Sequence, residues 1–168
     1  MLSILFALLV AATPAHAGKI EFEKRAGPGR VDETSRHYDL EQLYAEHRFE
    51  DALTQARAKL EQDPNDPDLY WHIARGLFER GETVARDDTS MDKLALYKEM
   101  MEVTEAGLEV DPGNPHLLFA HGIAVGRHGT TKGVLASLGV LKEVEQSWLA
   151  AAYSGYRYES MGGQEHLP

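Results

Sequence analysis

Leu60-Glu61-Gln62-Asp63-Pro64-Asn65-Asp66-Pro67-Asp68-Leu69 recurs as Leu108-Glu109-Val110-Asp111-Pro112-Gly113-Asn114-Pro115-His116-Leu117, with Pro112 following Pro64 by 48 residues. Self-similarity at a fixed period of this size is the signature of a helical array. Both segments also make sense as turns. Pro64 and Pro112 stop the preceding helix, because proline lacks an amide hydrogen and clashes one turn back. Asp66 and Asn114 offer a side-chain oxygen to the next helix. Pro67 and Pro115 then occupy the first helical position, where a missing donor costs nothing.

The flanking residues carry a 3.6-residue period. After the first turn come Tyr70, Ile73, Ala74, Leu77 and Phe78, then Gly81 as a helix stop; after the second come Leu118, His121, Gly122 and Val125, then Gly129. Ala74 and Gly122 fall at equivalent places, where a small residue lets two helices approach. Partner helices are predicted over Phe49–Gln62 (Phe49, Ala52, Leu53, Ala56, Leu60) and over Met91–Val110 (Leu94, Tyr97, Met100, Met101, Thr104, Leu108). Thr89 and Asp92 start the second of these, and Gly107 faces a neighbour. A further helix is expected over Thr131 to about Tyr153, with Leu135, Leu138, Leu141, Val144 and Trp148 on its apolar face. Ser35–His47 supplies Leu40, Leu43 and Tyr44. The expected fold is all-α: six helices in three antiparallel pairs that stack, because one amphipathic pair cannot bury its own face.

These residues resemble a known family. Ala52 to Pro64, followed by Tyr70, Ala74, Leu77 and Gly81, is similar to the tetratricopeptide repeat (TPR) pattern. Asp39 to about Glu143, with Trp71-His72-Ile73-Ala74-Arg75-Gly76 and Leu141-Lys142-Glu143, resembles the TPR-like domain of the regulator of microtubule dynamics family. The resemblance implies a TPR-like helical-hairpin array, an α-solenoid, and a role in binding proteins or peptides. In such proteins the first helix of each pair lines a groove. Trp71, His72 and Arg75, and one repeat later Phe119, Ile123 and Arg127, are the candidate groove residues, aromatic and arginine anchors being the usual hot-spot types. Trp71 reads equally well as core, and Phe119 somewhat better as core.

After Glu143 the chain departs from that pattern. It runs Trp148-Leu149-Ala150-Ala151-Ala152 and then Tyr153, Tyr156 and Tyr158. An uncovered apolar patch on the last helix is expected, with Trp148, Tyr153 and Tyr156 as a candidate interface and homodimerisation as one use of it.

The N-terminal residues read differently. Leu2 to Ala12 is apolar apart from Ser3, and Ala15-His16-Ala17 is a small-x-small site, so residues 1–17 read as a secretory signal. The run is shorter than the roughly 20 apolar residues that a bilayer takes, so no stable membrane insertion is expected after cleavage. Residues 18–34, with Gly27-Pro28-Gly29, read as a flexible tether or as carrying one short strand at Ile20–Phe22. The helical domain is expected over 35–160 and a disordered tail over 161–168. An exported chain with no cysteine and no Asn-x-Ser/Thr acceptor points to a bacterial periplasmic or secreted protein.

Composition and motifs narrow the chemistry. With no cysteine there is no disulfide, thiolate site or catalytic thiol within these residues. The formal net charge of −10 is spread along the chain without a basic stripe, so nucleic acid is not an expected partner. His121 and His128 lie one heptad apart, about 10 Å along a helix axis, too far to share a metal ion. A hydrogen-bonded core histidine suits His121 better. Gly126-Arg127-His128-Gly129-Thr130-Thr131-Lys132-Gly133 has the wrong spacing for a phosphate loop. Tyr158-Glu159-Ser160-Met161-Gly162 lacks the first glycine of a nucleophile elbow. The prolines of Asp63-Pro64-Asn65-Asp66 break calcium-loop geometry. No catalytic set, metal or cofactor is expected. A protein-binding scaffold is the leading reading, and an accessory subunit of an envelope or transport complex that handles a small ligand is the alternative. Export is directly testable: N-terminal sequencing of the chain recovered from cells should begin near Gly18, and an intact Met1 terminus in the cytoplasm contradicts it.

Overall fold

The computed structural model describes residues 34–83 and 89–154. The expected signal, the tether apart from Thr34, the segment 155–160 with Tyr156 and Tyr158, and the 161–168 tail lie outside the described residues.

Capping chemistry sets where the two central helices begin. Asp66 accepts a hydrogen bond from the Asp68 amide at 3.1 Å, and α3 runs Pro67–Glu82. Asn114 accepts from the amides of His116 and Leu117, both at 3.1 Å, and α5 runs Pro115–Lys132. Asp111 steadies the second turn by accepting from the Gly113 amide at 3.2 Å. α1 spans Tyr38–Ala45 and α2 spans Phe49–Gln62, the latter as the period predicts. α4 spans Lys93–Val110, started by Asp92, whose side chain accepts from the Ala95 amide at 3.0 Å. α6 (Val134–Gly139) and α7 (Leu141–Tyr153) complete the seven helices, and no strand occurs among the described residues.

Each long helix packs on the next in the chain: α1 on α2, α2 on α3, α3 on α4, α4 on α5 and α5 on α7, with α3 also touching α5. The pairs run antiparallel, as Gly107 opposite Tyr70 and Gly81 opposite Tyr97 show for α3 and α4. The core runs continuously from Leu40 through Leu53, Leu69, Ile73, Leu77 and Met100 to Leu117 and Ala124. Each fully buried leucine here is worth about 1.5–3 kcal/mol over its exposed state.

Two expectations about helix ends are corrected. Gly81 and Gly129 do not stop their helices, which continue to Glu82 and Lys132. Their role is packing: a Cβ at Gly81 would lie 2.7 Å from the Tyr97 hydroxyl, and one at Gly129 would lie 2.7 Å from a Val140 methyl. The stop after α5 is Gly133, at φ 116, a left-handed conformation that suits glycine. For that reason the expected single helix from Thr131 to Tyr153 is instead the end of α5 followed by α6 and α7, which meet at Val140 (φ −101, ψ −1).

The small residues sit where the repeat places them. Ala74 is fully buried, and a Cβ at Gly122 would lie 2.5 Å from the Trp148 indole nitrogen. Gly107 is wedged between neighbours: a Cβ there would lie 2.7 Å from Tyr70 Cβ and 2.8 Å from Leu117 Cδ1. Ala74→Leu, Gly122→Leu and Gly107→Ala should each cost about 1–3 kcal/mol by overpacking. Gly139→Ala, with open space around it, should be neutral or stabilising by up to about 1 kcal/mol. Urea denaturation of the four variants checks this, and equal midpoints for all four contradict the packing.

Candidate interaction surfaces

The α3 part of the expected groove is occupied from within. His37, Glu41 and Tyr44 lie at i, i+4 and i+7, and α1 brings them onto α3. Arg75 donates to both Glu41 carboxylate oxygens, at 3.0 and 3.1 Å, and its guanidinium lies 4.1 Å over the Tyr44 ring. The Tyr44 hydroxyl donates to the His72 carbonyl, and the two rings stack with centroids 5.8 Å apart. His37 Nε2 lies 2.9 Å from Asp66, so the residue that caps α3 also holds the start of α1. Trp71 is 5% exposed, with its ring 5.4 Å from that of His116. Trp71, His72 and Arg75 are therefore buried rather than open to a partner, which takes the core alternative for Trp71 and corrects the assignment of His72 and Arg75 as groove residues. For His72 and Arg75 the physical reason is α1, whose polar side matches theirs and whose i, i+4, i+7 spacing was the available signal; Trp71 packs on His116 of α5 instead.

The α5 part is covered less completely. Phe119 is half-buried and stacks on Trp148, with centroids 6.1 Å apart. Ile123 is half-buried against the core. Arg127 is exposed and ion-paired with Glu82 at 2.8 Å. Glu82 also accepts from the Tyr97 hydroxyl at 3.0 Å, and burial together with this carboxylate pushes the Tyr97 phenol up to about 12. His121 is half-buried, with Nδ1 3.0 Å from the Thr104 hydroxyl and Nε2 3.6 Å from Glu143, in keeping with a hydrogen-bonded core histidine.

Among the described residues, most of the exposed large apolar side chains follow α6 and α7. These helices lie along a glycine face of α5. Val140 meets Gly129, Val144 meets Gly126, and Ser147 and Trp148 meet Gly122. Close approach at the glycines turns Val140, Val144, Ser147 and Ala151 inward. Leu135, Leu138 and Leu141, expected on the buried face, point outward instead, at 86%, 59% and 59% exposure. Leu149 is 49% exposed, Trp148 45% and Tyr153 87%. A shallow hollow of about 700 Å³ lies beside α7, bounded by Leu141, Val144, Trp148 and Leu149.

Among the described residues, no group of three histidine, cysteine, aspartate or glutamate side chains is placed to hold a metal ion. No helix among them is long and apolar enough to cross a membrane. No family model, curated protein or solved structure matches the chain.

The α1–α3 network has a pH dependence of definite sign. Burial, reinforced by the nearby Arg75 and His37, pushes the His72 imidazole from 6.5 down to about 3. Its Nδ1 is buried without a hydrogen-bond partner. A base with a depressed folded-state pKa favours folding in its neutral form. That stability is complete above the unfolded value of 6.5 and is lost as pH falls through it toward about 3. His72→Phe keeps the stacked ring and removes the titration. Between pH 6 and 4 it should lose about 1.4 kcal/mol less per pH unit than the unsubstituted chain. Urea denaturation across that range measures the difference, and identical slopes contradict it.

Proposed function

We propose that this chain is a TPR-like helical-hairpin scaffold that binds another protein, and that it does so through the outward face of α6 and α7. The observation that carries this reading is the row of leucines at 135, 138, 141 and 149, each about half exposed or more along one side of the last two helices. A soluble chain rarely leaves such a row bare unless it is a contact surface. The repeated Asp/Asn-Pro turns and the sequential antiparallel packing support the TPR-like assignment, as does the resemblance over Asp39 to Glu143. We carry over from the regulator of microtubule dynamics family the fold and the idea of a binding module. Export to a bacterial envelope is part of the proposal, and rests on residues 1–17.

The groove on α3 and α5 is a weaker candidate than α6–α7, because α1 covers His72 and Arg75 and Trp71 is buried beside His116. Among the described residues, His72 is buried and held neutral beside Arg75, an environment that favours a packing role for it.

Leu138→Glu/Leu149→Glu tests the surface. Both positions are exposed, so the double variant should fold with a stability within about 0.5 kcal/mol per site and should lose the proteins that the unsubstituted chain retains in affinity capture from envelope extract. Arg127→Ala should retain them. Unchanged capture by the double variant, or loss with Arg127→Ala alone, contradicts the assignment.

A further inference from the structure

We infer that the partner of the α6–α7 face is a second copy of this chain, docked antiparallel about a twofold axis at the Glu143–Val144 peptide; this rests on the reading that α6–α7 is the binding face. The two helices act as one bent rod. Going down α5 from Gly129 through Gly126 to Gly122, the residues met are Val140, Val144 and then Ser147 with Trp148. The side away from these contacts carries Val134, Leu135, Leu138, Leu141, Lys142, Glu145, Gln146, Leu149, Ala152 and Tyr153, all exposed.

That outward side is close to a palindrome. About the 143–144 midpoint, Val134 mirrors Tyr153, Leu135 mirrors Ala152, Leu138 mirrors Leu149, and Lys142 mirrors Glu145, while Leu141 mirrors Gln146, the one apolar residue set opposite a polar one. A twofold contact must be self-complementary, each residue i meeting j while j meets i. Antiparallel docking at this midpoint places apolar against apolar at both ends. At the centre it places each Lys142 opposite the other copy's glutamate, at the position of Glu145. Among the described residues, neither Lys142 nor Glu145 is ion-paired within its own chain.

The same two charges disfavour the competing arrangements. A parallel pair sets lysine on lysine and glutamate on glutamate. An antiparallel pair centred on residue 142 or 145 sets one like pair at its axis. The apolar row supplies the attraction, and the charge pair selects orientation and register, the usual division of labour at helical interfaces. A partner of unrelated sequence has no reason to match this symmetry.

Charge reversal tests it, with sedimentation equilibrium on the chain purified from cells that express the full sequence. The unsubstituted chain should dimerise. Lys142→Glu and Glu145→Lys should each weaken the dimer at least about tenfold at low salt, because each creates like-charge contacts twice over. The double variant Lys142→Glu/Glu145→Lys restores opposite charges across the axis and should return to within about threefold of the original. Circular dichroism on each variant confirms that it folds. A dimer that ignores both single reversals, or a double variant as weak as the single ones, overturns the inference. A monomer at all concentrations whose α6–α7 face retains a different protein overturns it while leaving the scaffold reading intact. A monomer that retains nothing through this face overturns both.

Discussion

An amphipathic helix laid against one neighbour still has a second side, and every feature of this chain follows from how that second side is covered. Between the ends the answer is the next helix. α2, α3, α4 and α5 each pack on the helices before and after them, so the buried leucines form one core rather than several. The approach distances are set by residues with little or no side chain. Gly107 admits Tyr70 and Leu117, while Gly122, Gly126 and Gly129 together admit α6 and α7. The two Asp/Asn-Pro turns act upstream of all this, because they fix where α3 and α5 start and hence which side of each faces inward.

Among the described residues, the first and last helices meet the constraint in opposite ways. At the N-terminal end, α1 closes the array with a polar contact: Glu41 against Arg75, Tyr44 against the His72 carbonyl and ring, and His37 against Asp66. A buried ion pair adds little net stability over an apolar pair of like volume, yet losing one member strands the other at a cost of about 3–5 kcal/mol. The contact therefore specifies the seating of α1 more than it strengthens it. At the other end, the outward side of α6–α7 carries leucines where a closing helix would carry charge. The binding function we propose is a consequence of that asymmetry.

Local chemistry was the legible part of the sequence. The capping roles of Asp66 and Asn114, the span of α2, and the close contacts at Ala74, Gly107 and Gly122 all follow from side-chain type and spacing, whereas α4 begins at Lys93, capped by Asp92 alone, rather than at Met91 after Thr89. Helix termini at glycines were misleading, because Gly81 and Gly129 are absent side chains in a packing surface, and among the described glycines only Gly133 adopts a conformation that ends a helix. The rotation of α6–α7 was hidden for a related reason. Counting apolar residues favours burying Leu135, Leu138 and Leu141, but the glycine face of α5 fits the shorter side chains of Val140, Val144 and Ala151. Burial of His72 and Arg75 depended on where α1 docks, a long-range fact with only the His37, Glu41, Tyr44 spacing to suggest it.

The central claim is that the bare side of the array is a contact surface with a defined mate, and covalent trapping addresses it most directly. The chain has no cysteine, so Leu138→Cys/Leu149→Cys introduces the only two thiols. Leu138 lies on α6, and Leu149 lies eight residues into α7, about 12 Å along its axis, beyond the reach of a disulfide within one chain. In the antiparallel pair each faces the other's counterpart. Mild oxidation should convert the double variant to a covalent dimer on a non-reducing gel, while Leu138→Cys alone and Leu149→Cys alone stay largely monomeric. Equal trapping by either single variant, or no trapping by the double variant at concentrations where the chain sediments as a dimer, would contradict the account.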